Sequence, residues 1–206
     1  MGKPLQEVCG RGLHRLDDPR NIGIKVTAAG VERRFCQPCE VARKREVPLP
    51  FITALPTERQ LLLIQKRADG LSEEETAEQE GISVSGVRQG ITRARRTLRV
   101  TPTLSAAVAM CLAYELIEPD RTGPLPPKSP ETAPHAASVL ALVQGRRKPW
   151  QPKDVRRRLM LDALYAWSEP HAVSVLWASQ TLSKRDLYPL FAKRKKTGDA
   201  RSTRLL

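Results

Sequence analysis

The chain has 206 residues, with 35 Lys and Arg against 22 Asp and Glu and a formal charge of +13. That length suits one ordinary domain or two to three small ones and excludes a large enzyme. The basic balance favours a polyanionic partner, nucleic acid ahead of anionic membrane. No long apolar run is present, and the stretch from Met1 to Cys9 lacks the apolar core of a secretory signal. The expectation is a soluble cytoplasmic protein with no membrane partner.

In a reducing compartment the four cysteines are better read as metal ligands or buried small residues than as disulfides. Cys9 and His14 precede, and Cys36-Gln-Pro-Cys39 follows, a hairpin-like stretch from Ile22 to Phe35 that is broken at Ala28-Ala29-Gly30. Two ligand pairs flanking a hairpin suit tetrahedral zinc, and four protein ligands leave no open position for a reactive water. The expected ligands are therefore Cys9, His14, Cys36 and Cys39, holding a structural Zn2+. Asp17 and Asp18 stand close enough to His14 in sequence to compete for the fourth place. Residues 1–50 bury too little apolar surface to be stable unaided, which gives such a cross-link a physical purpose.

The knuckle running into Glu40-Val-Ala-Arg-Lys-Arg-Glu46 resembles treble-clef-like zinc modules of small phage and actinobacterial DNA-associated proteins, over roughly Cys9 to Glu46. Some of those relatives are HNH nucleases. Their catalytic His pair has no counterpart here, because no His lies between Arg15 and His135.

Pro48 and Pro50 close this module, and residues 51–118 form the next. Leu55 to Gly70 reads as a helix with Thr57 as N-cap and Gly70 as its stop. Ser72 and Glu75 fit a capping box opening a short second helix that ends at Gly81. From Ser83 to Leu98, Val87, Ile91, Ala94 and Leu98 recur at helical spacing and define one buried stripe. Arg88, Gln89, Thr92, Arg93, Arg95, Arg96 and Arg99 fall outside it, with no acid among them. Helix, Gly-containing turn and basic helix make a helix-turn-helix, whose second helix is expected to enter the major groove of duplex DNA.

Gly70-Leu71-Ser72, the Glu75-Thr76-Ala77 step and Gly81-Ile-Ser-Val-Ser-Gly-Val-Arg88 through Ile91 to Leu98 resemble the LuxR/GerE-type DNA-binding domain. The apolar run Leu104 to Leu116 is similar to that family's fourth, dimer-forming helix. The resemblance covers about Leu55 to Ile117 and implies base contacts at Arg88, Gln89 and Thr92, phosphate contacts near Ser85 and Arg93, and a homodimer joined through residues 104–116. Thr76, Glu80 and Gly90 depart from that family, which usually has Ile, Leu and His there, and imply weaker helix packing or a compensating contact. The stretch also resembles region four of bacterial sigma factors, notably at Leu55-Pro56 and from Thr92 to Arg99. Cys111, inside the apolar helix, reads as a packing residue.

Residues 119–134 are Pro-rich and read as a semi-rigid linker. Beyond it, residues 135–195 are expected to form a basic helical domain with helices at His135 to Gly145, Asp154 to Trp167, Glu169 to Leu182 and Lys184 to Lys195, followed by a basic tail at 196–206. Ser168 is the expected cap of the third. Leu159, Leu161, Leu164, Trp167, Val173, Leu176, Trp177 and Leu182 are its expected core. The clusters Arg146-Arg-Lys148, Arg156-Arg-Arg158 and Lys193-Arg-Lys-Lys196 are either phosphate contacts or solvated faces. His135 and His171 lack ligand-spaced partners.

The expected fold class is mainly α: a small zinc-stabilised β-hairpin module, a four-helix LuxR-type helix-turn-helix domain and a small C-terminal helical domain. The expected function is sequence-specific, double-stranded-DNA-binding transcription regulation with no catalytic residue. The alternatives are a sigma-like accessory protein of RNA polymerase and a mobile-element DNA-processing nuclease.

Overall fold

The computed structural model describes residues 7–10, 14–44, 54–98 and 103–187. Within these, the chain is mainly helical with one small hairpin. Strands β1 (Ile22–Val26) and β2 (Glu32–Cys36) pair antiparallel, with Ile22 opposite Cys36 and Val26 opposite Glu32. The second strand runs directly into α1 (Gln37–Lys44).

The next three helices are α2 (Glu58–Ala68), α3 (Glu73–Gln79) and α4 (Val84–Thr97). Their starts are written in the sequence. Ser72 and Glu75 form a reciprocal capping box, with Ser72 Oγ accepting from Glu75 N at 3.0 Å and Glu75 Oε2 from Ser72 N at 2.7 Å. Thr57 and Gln60 form a second box on α2, and Ser83 Oγ caps α4 by accepting from Gly86 N at 3.1 Å. Each such cap contributes about 1 kcal/mol. The turn after α2 requires Gly70, whose φ is +98°. An added Cβ there would stand 2.8 Å from the ring of Trp167 and 3.0 Å from His171 Nδ1.

Thr76, Glu80 and Gly90 each make a defined contact. Thr76 is buried, and its hydroxyl donates to Ser72 O at 2.7 Å, so no polar atom is stranded. Glu80 accepts an ion pair from Lys66 Nζ at 3.0 Å, tying α3 to α2. At Gly90 a Cβ would lie 2.5 Å from Leu63 Cδ1, so Leu63 of α2 occupies the room a side chain would need.

Helix α5 (Leu104–Ala113) is shorter than the expected 104–116, and every residue from Ser105 to Ala113 is buried within the chain. It packs against α2, α4, α6 (Ala133–Val143) and α8 (Glu169–Ala178). This corrects the expected dimer helix: an element apolar on all sides is a core helix, and its own chain covers the surface a second copy would need.

One buried cluster runs from Cys9 through Ile64, Leu98, α5, Leu142 and Leu176 to Leu187. A smaller one joins Leu63, Ala77, Val87 and Ile91. The Pro-rich run is held to the helices. Gln65 pairs with the Glu118 backbone in both directions, at 3.0 and 2.9 Å, and the Asp120 amide donates to Ser174 Oγ at 2.7 Å.

In the C-terminal part, α7 (Val155–Ala163) is capped by Asp154 and α8 by Ser168. Leu161, Leu164, Val173, Leu176 and Leu182 are buried as expected, whereas Leu159 and Trp167 are 56% and 80% exposed. Helix α7 ends at Ala163, and Tyr165 turns the chain with a φ of +52°. The helical phase therefore does not reach Trp167. Of the helix expected at Lys184 to Lys195, the described residues show a 3-10 turn at Lys184–Leu187, and 188–195 lie outside them. The cluster Lys193 to Lys196, Arg99, and the segments 1–6, 45–53 and 188–206 lie outside the described residues. Among the described residues no helix is long and apolar enough to cross a membrane.

Candidate nucleic-acid interface and metal cluster

Helix α4 is seated by a stripe that bridges both cores. Val87 and Ile91 belong to the smaller cluster with Leu63 and Ala77, while Ala94 and Leu98 belong to the larger. Fixing one face at both ends orients the other. Ser85, Arg88, Gln89, Arg93 and Arg96 are exposed along it, and Thr92 and Arg95 are half-buried at its margins. The seven residues singled out for DNA thus share one helix, five of them exposed.

Arg88 is engaged in an arrangement that spacing did not reveal. Its Nε donates to Glu73 Oε2 at 2.6 Å, and this carboxylate holds the guanidinium above its ordinary pKa. Glu73 opens α3, so the pair braces the two helices of the motif across its solvent side. At 64% side-chain exposure the guanidinium still has free donors. Fifteen residues separate the partners, and neither belongs to the apolar stripes that periodicity detects.

The N-terminal cluster assembles from three elements. Cys9 and His14 are brought together by the Cys9 amide donating to His14 O at 2.9 Å and by a bridge between Val8 and Arg15. Cys36 ends β2, and Cys39 stands in the first turn of α1. The four ligand atoms lie within 4.8 Å of one another. His14 Nδ1 is 3.4 Å from both Cys36 Sγ and Cys39 Sγ and 3.8 Å from Cys9 Sγ, and Cys39 Sγ is 3.9 Å from Cys9 Sγ. A tetrahedral ion with bonds of about 2.3 Å to sulfur and 2.05 Å to nitrogen has edges of about 3.8 Å and 3.6 Å. The donor set fits such an ion. Asp17 and Asp18 instead pair with Arg15 and Arg20, which removes them as competitors for the fourth place.

The thiols share charge. Hydrogen bonds from Cys36 and Cys39 hold the Cys9 thiol well below its ordinary pKa, whereas its neighbours Cys36 and Cys9 push Cys39 up. Burial works against the charged form of His14, but hydrogen bonds and charge from Cys36 and Cys9 outweigh it and raise its pKa to about 9. A metal would have to displace that proton, so binding weakens as pH falls. Cys111 takes no part: burial in α5 pushes its thiol up to about 12, which makes it inert.

His171, without a ligand-spaced partner in sequence, has one in space. Its Nε2 is 2.9 Å from Asp120 Oδ2, with both side chains nearly buried. His135, half-buried on α6, belongs to no metal-ligating group among the described residues. Of the remaining basic clusters, Arg147 stacks 4.0 Å over Trp150 and Arg157 pairs with Glu169, so at these two positions the charge is used within the fold.

No curated protein and no solved structure matches the chain. Residues 51–98 match the family Sigma-70, region 4. The match ends at Leu98, where α4 ends, and so covers the helix-turn-helix without α5. This stretch is a helix-turn-helix related to region four of sigma factors, the kind of element that binds DNA in transcription.

Proposed function

We propose that the protein is a sequence-specific, duplex-DNA-binding transcription factor that reads the major groove with α4. The observation that carries this is the exposed, acid-free face of Ser85, Arg88, Gln89, Arg93 and Arg96 on a helix whose opposite stripe is locked into two cores. Arg88 and Gln89 supply the bidentate donors and acceptors that distinguish guanine and adenine edges, with Thr92 beside them. Ser85, Arg93, Arg95 and Arg96 reach towards the phosphates. No catalytic step is assigned to any residue. Selection of bound fragments from random duplex DNA tests the reading: an enriched site of defined sequence supports it, and recovery of unenriched DNA rejects it.

A second reading, a sigma-like accessory factor of RNA polymerase, is favoured by the family match itself. It is preferred to a LuxR-type dimer because α5 is covered by its own chain. Co-purification with core polymerase, together with weak binding to DNA alone, would select it.

We also propose that Cys9, His14, Cys36 and Cys39 hold a structural Zn2+. The supporting observation is three sulfurs and one nitrogen at the edge lengths of one tetrahedron. With all four positions filled by protein, the ion cross-links the hairpin to the loop before it and leaves no site for substrate. One zinc per chain by elemental analysis, lost in Cys36→Ser, is the expected result.

A further inference from the structure

A cavity of about 520 Å³ opens where the end of α2 meets the Pro-rich strap, α7 and α8. Its size is that of an ordinary small-molecule site. Leu161 and Val175 give it an apolar wall, and Leu125, Tyr165 and Trp167, which are 45%, 49% and 80% exposed, stand at it. Exposed aromatic and aliphatic side chains gathered around one hollow are uncommon without a guest.

The charge of the lining is the opposite of the protein's. In a chain of net charge +13 this cavity is lined by Asp69, Asp120 and Asp162 and by no Lys or Arg. His171 stands among these acids as a hydrogen-bond partner. The Trp167 amide donates to His171 Nδ1 at 3.1 Å, which fixes that nitrogen as an acceptor and leaves the proton on Nε2, donated to Asp120 Oδ2 at 2.9 Å. Burial works against the Asp120 carboxylate, but hydrogen bonds from Thr122 and His171 outweigh it and hold its pKa below the ordinary value, so its charge stays. Asp69 accepts from Gln65 Nε2 at 2.7 Å, a neutral donor, and burial pushes its carboxyl above the ordinary pKa. Asp162 has Arg158 at 3.8 Å, on the solvent side of α7, where the pair is two-thirds exposed or more.

We propose that this cavity is a binding site for a small organic cation, an amine or guanidinium carried on a compact apolar or aromatic body. The cationic head takes Asp69 and Asp120, and the body lies against Leu161, Val175 and the faces of Tyr165 and Trp167, where ring quadrupoles add to the attraction. This site is separate from the DNA-reading face and from the cysteine cluster, and it stands whichever DNA-binding reading holds.

Isothermal titration of the full chain with 2-phenylethylamine, benzamidine and agmatine tests it, with 2-phenylethanol and phenylacetate as neutral and anionic controls. At least one cation is expected to bind saturably and about tenfold or more tighter than either control. Trp167→Ala and Asp69→Asn are each expected to weaken that cation about tenfold, with an unchanged melting temperature. Trp167 is mostly exposed and Asp69→Asn keeps the shape of the side chain, so neither variant threatens the fold. Failure of all three cations to bind at millimolar concentration, equal binding by phenylacetate, or wild-type affinity in both variants would overturn the proposal.

Discussion

Helices α4 and α5 are neighbours in sequence and in space, yet they are built on opposite plans. α4 buries one stripe, Val87, Ile91 and Ala94 with Leu98 at its end, and carries four arginines, while α5 is apolar on every side and buried from Ser105 to Ala113. A one-sided helix still has a face to offer another molecule. An all-round apolar helix has none left once its own chain has covered it. The lesson is that apolarity alone says a helix will be covered, and only its distribution around the axis says by what.

The largest test of this contrast is a charge inside α5. Val108→Asp buries a carboxylate with no partner and is expected to cost upwards of about 4 kcal/mol, enough to abolish a cooperative thermal transition. Were α5 a dimer surface, the same change would leave a folded monomer, which circular dichroism with light scattering distinguishes. Wild-type protein is expected to scatter as a monomer across micromolar concentrations.

Metal removal comes next. A chelator, or Cys36→Ser, is expected to unfold the hairpin module while most helical circular dichroism remains, since α4 and α5 draw their burial mainly from other helices. Complete loss of helicity on chelation would show instead that Cys9, which reaches the main core, is a keystone for α5 as well.

Gly90→Ala forces a methyl group to within 2.5 Å of Leu63 and is expected to cost about 1–3 kcal/mol of stability in urea unfolding. A neutral result would mean that α4 can slide on α2, and its seating would be looser than described. On the open face, Arg88→Ala is expected to relax base preference by about 1–3 kcal/mol, whereas Arg96→Ala should weaken every sequence alike. Equal losses on all sequences for both variants would refute base reading by Arg88. The smallest effect is the salt response: with about six phosphate contacts, log affinity falls against log salt with a slope near −5, and each lost contact reduces it by about 1.

Much of the helix-turn-helix was legible because its signals are local. Ser72 and Glu75 declare a start, Gly70 and Gly81 declare turns, and the stripe of α4 declares a face. The cysteine cluster was legible because ligand chemistry restricts which residues can meet. What stayed hidden depends on meetings between distant segments. Asp120 and His171 are separated by 51 residues, and nothing in either neighbourhood announces the other. The run Leu159-Met160-Leu161 is apolar throughout, so spacing cannot tell that Met160 and Leu161 turn inward and Leu159 outward. The Pro-rich strap reads as a spacer because composition is blind to Gln65 and Ser174, the side chains that hold it.

The enclosure of α5 bears on how this molecule can be taken apart. A fragment cut after residue 118, where composition invites the scissors, would lose α6 and α8 and leave Ala106 to Ala113 facing water as a greasy cylinder. Such a piece would aggregate, and an assay on it would report stickiness in place of DNA affinity. A cut before residue 103 removes the offending helix itself, and leaves only Ile64, Ala68, Ala94 and Leu98 of α2 and the α4 stripe to be covered anew.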